Sequence, residues 1–144
     1  MYRLATALCV LFVFSTLPAP AAAIGVAKTT GTLQVDHQMI VSNATVFEGS
    51  TLETTSASSD LDLAGGVRLT LAAGSRARVF ADRLVLEKGL GELARGADYR
   101  LEALGLRVAA ASPDAAGRVA VVGEKKMQAL ALAGSLRVST ADGT

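Results

Sequence analysis

The residues able to perform acid–base or metal chemistry are few and widely spaced. Asp60 and Asp62 stand two positions apart, so on a β-strand their carboxylates share one face. A glycosidase needs two carboxylates about 5 to 9.5 Å apart across a cleft, whereas neighbours on one strand with leucines between them are typical of a solvated face. His37 is the only histidine, and no nucleophile elbow or second His or Cys metal ligand accompanies it. These patterns predict no catalytic residue, no metal site and no cofactor.

A glycine-rich stretch resembles a nucleotide-binding fingerprint. Residues 89–94 read GLGELA, which matches G-x-G-x-x-A and follows a short apolar run. Gly96 interrupts the helix that a dinucleotide site would need at this point, and about fifty residues are too few for the remaining parallel strands. The match therefore predicts a turn between strands.

Arginines fill the gaps of an alternating segment between residues 65 and 89. Arg68, Arg76 and Arg78 stand between apolar residues, so they point away from the core. Two interpretations stay open: a solvated face balanced by nearby carboxylates, or a candidate partner-binding face.

The first 23 residues have the pattern of a secretory signal peptide. An arginine in the first three residues precedes an apolar run from 4 to 17, and Ala21 and Ala23 supply the small residues of a cleavage site. We expect cleavage after Ala23; the rival is an uncleaved membrane anchor. Cleavage would remove Cys9, the only cysteine, and leave 13 basic residues (14 less Arg3) against 13 acidic ones. A balanced charge argues against nucleic acid as the partner.

Alternation with a period of two residues dominates the rest of the chain, which predicts β-strands. Turn signals separate the short runs at 48–50, 65–66, 73–75, 87–89, 112–114 and 133–135. We expect strand–turn–strand over 91–106, because glycines interrupt its loosely helical spacing. The Ser/Thr-rich stretch 51–60 predicts an exposed loop or the outer face of an edge strand. The fold class is therefore all-β: one domain over 24–144 of stacked short strands, solenoid-like or sandwich-like.

The order of these motifs resembles the FecR-type domain of bacterial envelope proteins. The similar stretches are TGTLQV (30–35), GSTLET (49–54), LDLAGG (61–66), LAAGS (71–75), LVLEKG (84–89) and LAGSLRV (132–138). The resemblance implies an all-β, solenoid-like stack outside the cytoplasm. Its best-known members regulate sigma factors through a cytoplasmic tail and a transmembrane helix. A cleavable signal in place of both implies a free-standing version without that role, and the family supplies no catalytic residues.

The sequence thus predicts a secreted or periplasmic, non-enzymatic β-domain that acts as a binding or scaffold module of the cell envelope. The expected partner is an envelope protein or a surface polymer, with no nucleic acid and no stable membrane anchor after cleavage. Two alternatives stay open. One is a small carbohydrate-binding protein or hydrolase that uses Asp60 and Asp62. The other is a surface structural subunit that self-associates through strand edges.

Overall fold

The computed structural model describes residues 22–96 and 98–140, and its regular elements are all β-strands. The fourteen strands are β1 Ala23–Thr29, β2 Leu33–Val35, β3 Gln38–Ile40, β4 Asn43–Phe47, β5 Ser50–Thr54, β6 Ser59–Leu63, β7 Val67–Leu71, β8 Arg76–Val79, β9 Arg83–Arg95, β10 Arg100–Ala103, β11 Leu106–Ala110, β12 Ala116–Gly123, β13 Lys126–Ala133 and β14 Leu136–Thr140. The predicted all-β single domain is confirmed.

The thirteen-residue strand β9 joins two halves of one continuous sheet. Its first part pairs with β8 and β10, and its second part pairs with β7 and β12. The β8 half runs in the order β3-β2-β5-β8-β9-β10-β11-β14, and the β7 half runs β4-β1-β6-β7-β9-β12-β13. Every pair is antiparallel except β9 with β10. The sheet curls almost fully around one interior, which leaves β3, β4, β13 and β14 as edges.

The sheet changes direction at Gly89, in the middle of β9. Gly89 has a φ of +83°, which a side chain would strain, and a Cβ there would lie 2.7 Å from the Cα of Ser75. The Ser75 hydroxyl donates to the carbonyl of Leu90 at 3.2 Å and accepts from its N–H at 3.0 Å. Thr54 completes this buried polar cluster by accepting the Ser75 N–H at 2.9 Å. At the point where β9 passes from one half of the sheet to the other, the Ser75 side chain thus satisfies backbone groups of Leu90 that a neighbouring strand would otherwise bond.

Strand alternation places the apolar residues of both halves in one core. On β7 and β6 the leucines are buried while Arg68 and Asp60 are exposed, as a period of two requires. The largest fully buried side chains include Leu52 and Leu84 from the β8 half and Leu61 and Leu71 from the β7 half. The buried side-chain oxygens and nitrogens of the described residues all have hydrogen-bond partners.

Two expectations about local structure are wrong. Residues 87–94, including the GLGELA stretch, form no turn but the interior of β9, because one positive-φ glycine bends the strand without ending its pairing. The expectation for residues 51–60 is wrong over 51–54, because β5 lies between β2 and β8, with Ser50, Leu52 and Thr54 buried. Hydroxyl groups fit that interior because each bonds to backbone nearby. Residues 55–58 do form a mostly exposed connection between β5 and β6.

The other turns and the strand–turn–strand over 91–106 are confirmed. The end of β9 is followed by β10 and β11, which pair as a hairpin around Leu104 and Gly105, both with positive φ. Of the predicted leader over residues 1–23, residues 1–21, Ala21 included, lie outside the described residues. Ala23 is the first residue of β1 and pairs with Phe47 of β4. Among the described residues, no helix offers the length and apolarity needed to cross a membrane.

Candidate arginine face

The carboxylates considered for catalysis lie on the outer face of the β7 half, already engaged by neighbours. Asp62 forms ion pairs with Lys28 at 3.1 Å and with Arg68 at 3.4 Å. Asp60 accepts a hydrogen bond from the Thr70 hydroxyl at 2.9 Å. The pattern is that of a charged, exposed sheet surface, as the alternation with Leu61 and Leu63 indicated.

His37 lies in a two-residue turn between β2 and β3. Asp36 and His37 both have positive φ, at 48° and 69°, the conformation that two-residue hairpins of this twist require. Asp36 secures the turn by accepting a hydrogen bond from the Thr51 N–H at 2.9 Å. Within the described ranges, no three His, Cys, Asp or Glu side chains group together as metal ligands.

The three arginines of the alternating segment do not share one face. Arg68 projects from β7, beside Asp62 in the β7 half. Arg76 and Arg78 project from β8, whose alternate residues Ala77 and Val79 are buried. Strand pairing therefore separates Arg68 from the other two.

Arg76 and Arg78 belong to a larger cationic surface on the outside of the β8 half. We call this surface the arginine face; its cations come from strands β8, β9, β10, β11 and β14. Opposite residues on paired strands share a face, and the registers form two rows. One row runs Arg78–Val85–Glu102–Arg107–Ser139, and the other runs Arg83–Arg100–Ala109–Arg137.

Ion pairs order the centre of the arginine face. Asp82 contacts Arg100 at 2.7 Å and Arg83 at 3.0 Å. Glu102 contacts Arg107 at 3.2 Å and lies 3.9 Å from Arg83. Arg83 also stacks over the Phe80 ring, 4.1 Å from its centroid, an arrangement that favours a cation. These contacts hold the guanidinium groups in fixed positions.

The pKa of Asp82 reflects this setting. Desolvation raises that pKa, but the charges of Arg83 and Arg100 outweigh it and hold the pKa below its ordinary value. Asp82 is therefore ionised throughout the neutral range and keeps both arginines in place.

Two arginines at the sides of the face form no ion pair with any described residue. Arg78 lies between Thr51 and Val85, and Arg137 lies opposite Ala109; both side chains are exposed. Three strands separate them, so they stand about 19 Å apart at the usual strand spacing of about 4.8 Å. Their charges are available to an external anion.

Cations outnumber the carboxylates that pair with them on the strands of the arginine face. The six arginines are Arg76, Arg78, Arg83, Arg100, Arg107 and Arg137, Lys88 stands opposite Arg76, and the carboxylates among them are Glu53, Asp82, Glu87 and Glu102. At the strand ends, Glu48 and Asp98 add negative charge close to the turn that carries Asp82. The cationic character therefore belongs to the strand surface and not to this half of the molecule as a whole.

A cleft of about 410 Å³ lies beside the arginine face, where three turns meet. Its lining residues are Gly65, Val67, Ala81, Asp82, Gly96, Asp98 and Tyr99. The hydroxyl of buried Tyr99 donates to the Phe80 carbonyl at 2.8 Å. Burial, aided by the negative charges of Asp82 and Glu48, raises the pKa of Tyr99 well above its ordinary value. Tyr99 thus anchors the turn that carries Asp82.

Sequence reasoning found Arg76 and Arg78 but missed Arg83, Arg100, Arg107 and Arg137. The alternation of Arg100 with Leu101 and of Arg107 with Val108 marks them as outward-facing. Their assembly with β8 depends on the pairing of β9 with β10 and of β11 with β14, which local pattern does not specify. Comparison with protein-family models, with curated proteins and with solved structures finds no match for this chain.

Proposed function

We propose that this chain is a non-enzymatic binding module of the bacterial cell envelope, and that the arginine face of the β8 half binds an anionic partner. The observation that carries the proposal is a pair of exposed guanidiniums, Arg78 and Arg137, on either side of an ordered ion-pair network. Neither forms an ion pair with a residue that the structure describes. The partner is an anionic surface polymer or an acidic protein surface of the envelope. The signal-peptide pattern and the resemblance to FecR-type domains support that location.

The arrangement of charge favours binding along a surface. Asp82 and Glu102 keep Arg83, Arg100 and Arg107 at defined positions, which lowers the entropy lost when a ligand binds. Arg78 and Arg137 then offer planar donors that match carboxylate, sulfate or phosphate groups. Their separation of about 19 Å fits an extended polymer or a protein face better than a small metabolite.

The test is retention on a column of immobilised sulfated polysaccharide, eluted with a sodium chloride gradient. Replacing Arg78 and Arg137 together with glutamine should lower the eluting salt concentration and weaken binding about tenfold. This follows because two exposed charge contacts, each worth up to about 1 kcal/mol, are lost. The fold should persist, since neither side chain forms an ion pair among the described residues.

The matched control replaces Lys28 and Arg68 together with glutamine, which removes the same charge from the β7 half. The salt concentration that elutes this control should differ only slightly from the concentration that elutes the wild type. An equal shift in both variants would mean that net charge alone drives retention, and no shift in either would refute the arginine face as a binding surface. Repeating the elution with immobilised polyglutamate separates sulfate recognition from carboxylate recognition.

A further inference from the structure

The last strand of the β7 half is an exposed apolar edge. β13 pairs with β12 on one side and with no other described strand, and seven of its eight residues are exposed. Its sequence, KMQALALA, contains one charge, at Lys126. A free backbone edge with apolar side chains is a ready template for another strand.

Beyond Met127, both faces of β13 are uncovered. Leu130 stands opposite Arg118 on the outer face, where it is 54% exposed, and Leu132 is 43% exposed. Ala129 stands opposite buried Val119 on the inner face, yet Ala129 is also exposed. Met127 packs against the core, and the rest of β13 extends beyond it.

The other edges of the sheet are shorter or more polar. β3 has three residues, and β4 and β14 have five each, against eight in β13. β4 carries Asn43 and Thr45, and β14 carries Arg137, Ser139 and Thr140. Charged, polar or very short edge strands resist unwanted pairing. Residues 129–133 of β13 carry no charged or polar side chain, and their ladder with β12 contains a bulge at Leu132.

The sequence of β13 is complementary to itself. Residues 129–133 read Ala-Leu-Ala-Leu-Ala, a palindrome about Ala131. In an antiparallel pair of two such strands centred on Ala131, Leu130 faces Leu132 of the second copy and alanine faces alanine. Lys126 then lies beyond the paired segment, so the two ammonium groups stay apart.

We propose that β13 is a homodimer interface, in which two copies of this chain pair their β13 strands antiparallel about a two-fold axis at Ala131. A two-fold contact requires a surface that is complementary to itself, and the palindrome provides it. The dimer continues the β7 half across the axis and covers the leucines that the monomer exposes. It involves no arginine-face residue, so it stands independently of the proposed anion binding.

The full chain is expressed and purified for the test. Analytical ultracentrifugation across a range of concentrations then measures the mass of the particle in solution. The wild type should form dimers. The double variant L130E/L132E places four carboxylates together across the axis and should raise the dimer dissociation constant on the order of 100-fold.

A charge-swap variant makes the test specific for the two-fold register. In L130E/L132K, the carboxylate introduced at position 130 faces the ammonium introduced at position 132 of the other copy, so dimers should return. Val41→Glu is the control, because Val41 is 73% exposed outside β13; its dimer should match the wild type. Circular dichroism verifies that each variant is folded.

Four outcomes would overturn the proposal. The first three are a wild type that is monomeric at all concentrations, a dimer whose dissociation constant does not change in L130E/L132E, and a charge-swap variant that stays monomeric. The fourth is a series of larger oligomers, since that result indicates head-to-tail contact between β13 and a different edge.

Discussion

At the scale of single residues, Tyr99 connects the core to the turn that carries Asp82. The residue is 2% exposed, and its hydroxyl donates to the Phe80 carbonyl at 2.8 Å. Removing the hydroxyl leaves that carbonyl without its partner, which costs about 1 kcal/mol. Tyr99→Phe should therefore unfold at a lower denaturant concentration at pH 8.

The same residue makes a prediction about alkaline pH. The folded pKa of Tyr99 is raised above the unfolded value of 10.0, so its contribution to stability is complete below pH 10 and is lost as pH rises toward the folded pKa. The difference in stability between wild type and Tyr99→Phe should therefore shrink at pH 11. The full chain has two tyrosines, Tyr2 and Tyr99. Tyrosinate absorbance is therefore measured on protein that lacks the predicted leader, in which it reports Tyr99 directly. A titration midpoint near 10 in the folded protein would contradict this account.

Two features of Gly89 disfavour any other residue, and their effects on stability can be measured separately. Its φ is +83°, and a Cβ would also meet the Ser75 Cα at 2.7 Å. Gly66 has a similar φ of +78° with no atom within 4 Å of a Cβ. Both Gly89→Ala and Gly66→Ala place a side chain at positive φ and lose stability for that reason. Any additional loss in the free energy of unfolding of Gly89→Ala therefore measures the clash with Ser75.

We expect Gly89→Ala to lose about 1–3 kcal/mol more than Gly66→Ala, the usual range for overpacking. Urea unfolding of both variants measures the difference. Equal losses of unfolding free energy in the two variants would show that Ser75 moves aside. The bend of β9 would then not depend on the close approach of Gly89 to Ser75.

At the scale of elements, β7 shows how alternation separates the core from the surface. Leu69 is buried and its neighbour Arg68 is exposed. Leu69→Asp buries an unpaired carboxylate at a cost of several kcal/mol, a large part of a domain stability of about 5–15 kcal/mol. The circular dichroism spectrum of this variant should be that of an unfolded chain.

The matched substitution on the same strand is Arg68→Gln. Arg68 loses only an exposed ion pair with Asp62, so stability should change by about 1 kcal/mol or less. An unfolded Arg68→Gln together with a folded Leu69→Asp would mean that β7 presents the opposite face to the core.

At the scale of the whole molecule, the two halves carry different surfaces. The β7 half pairs Asp62 with Lys28 and Arg68 and leaves Arg95 exposed with no ion pair to a described residue. It ends in the apolar strand β13. The β8 half carries the arginine face. A single chain thus presents two separate surfaces, one proposed for an anionic partner and one for a second copy.

Processing of the whole chain provides a further prediction. Cleavage after Ala23 should give a mature protein that begins at Ile24, because Ala21 and Ala23 fit the small-residue pattern of the peptidase. Ile24–Thr29 would remain to pair with β4 and β6, so the fold survives cleavage. N-terminal sequencing of envelope protein measures this, and retention of Met1 would favour the membrane-anchor alternative.

The sequence alone determined the fold class, most turns and, for strands such as β6, β7 and β8, the side that faces water. These features depend on contacts between near neighbours: alternation assigned Leu69 inward and Arg68 outward, and paired glycines marked the turn at 65–66. The tertiary structure decided which strands pair. Gly89 bends β9 without ending it, because Ser75, fourteen positions earlier in the chain, completes the hydrogen bonding at the bend. The same long-range pairing joined Arg78 to Arg83, Arg100 and Arg107 and left Arg68 on the other half, since a strand's partners depend on the packing of the whole sheet and not on its own residues.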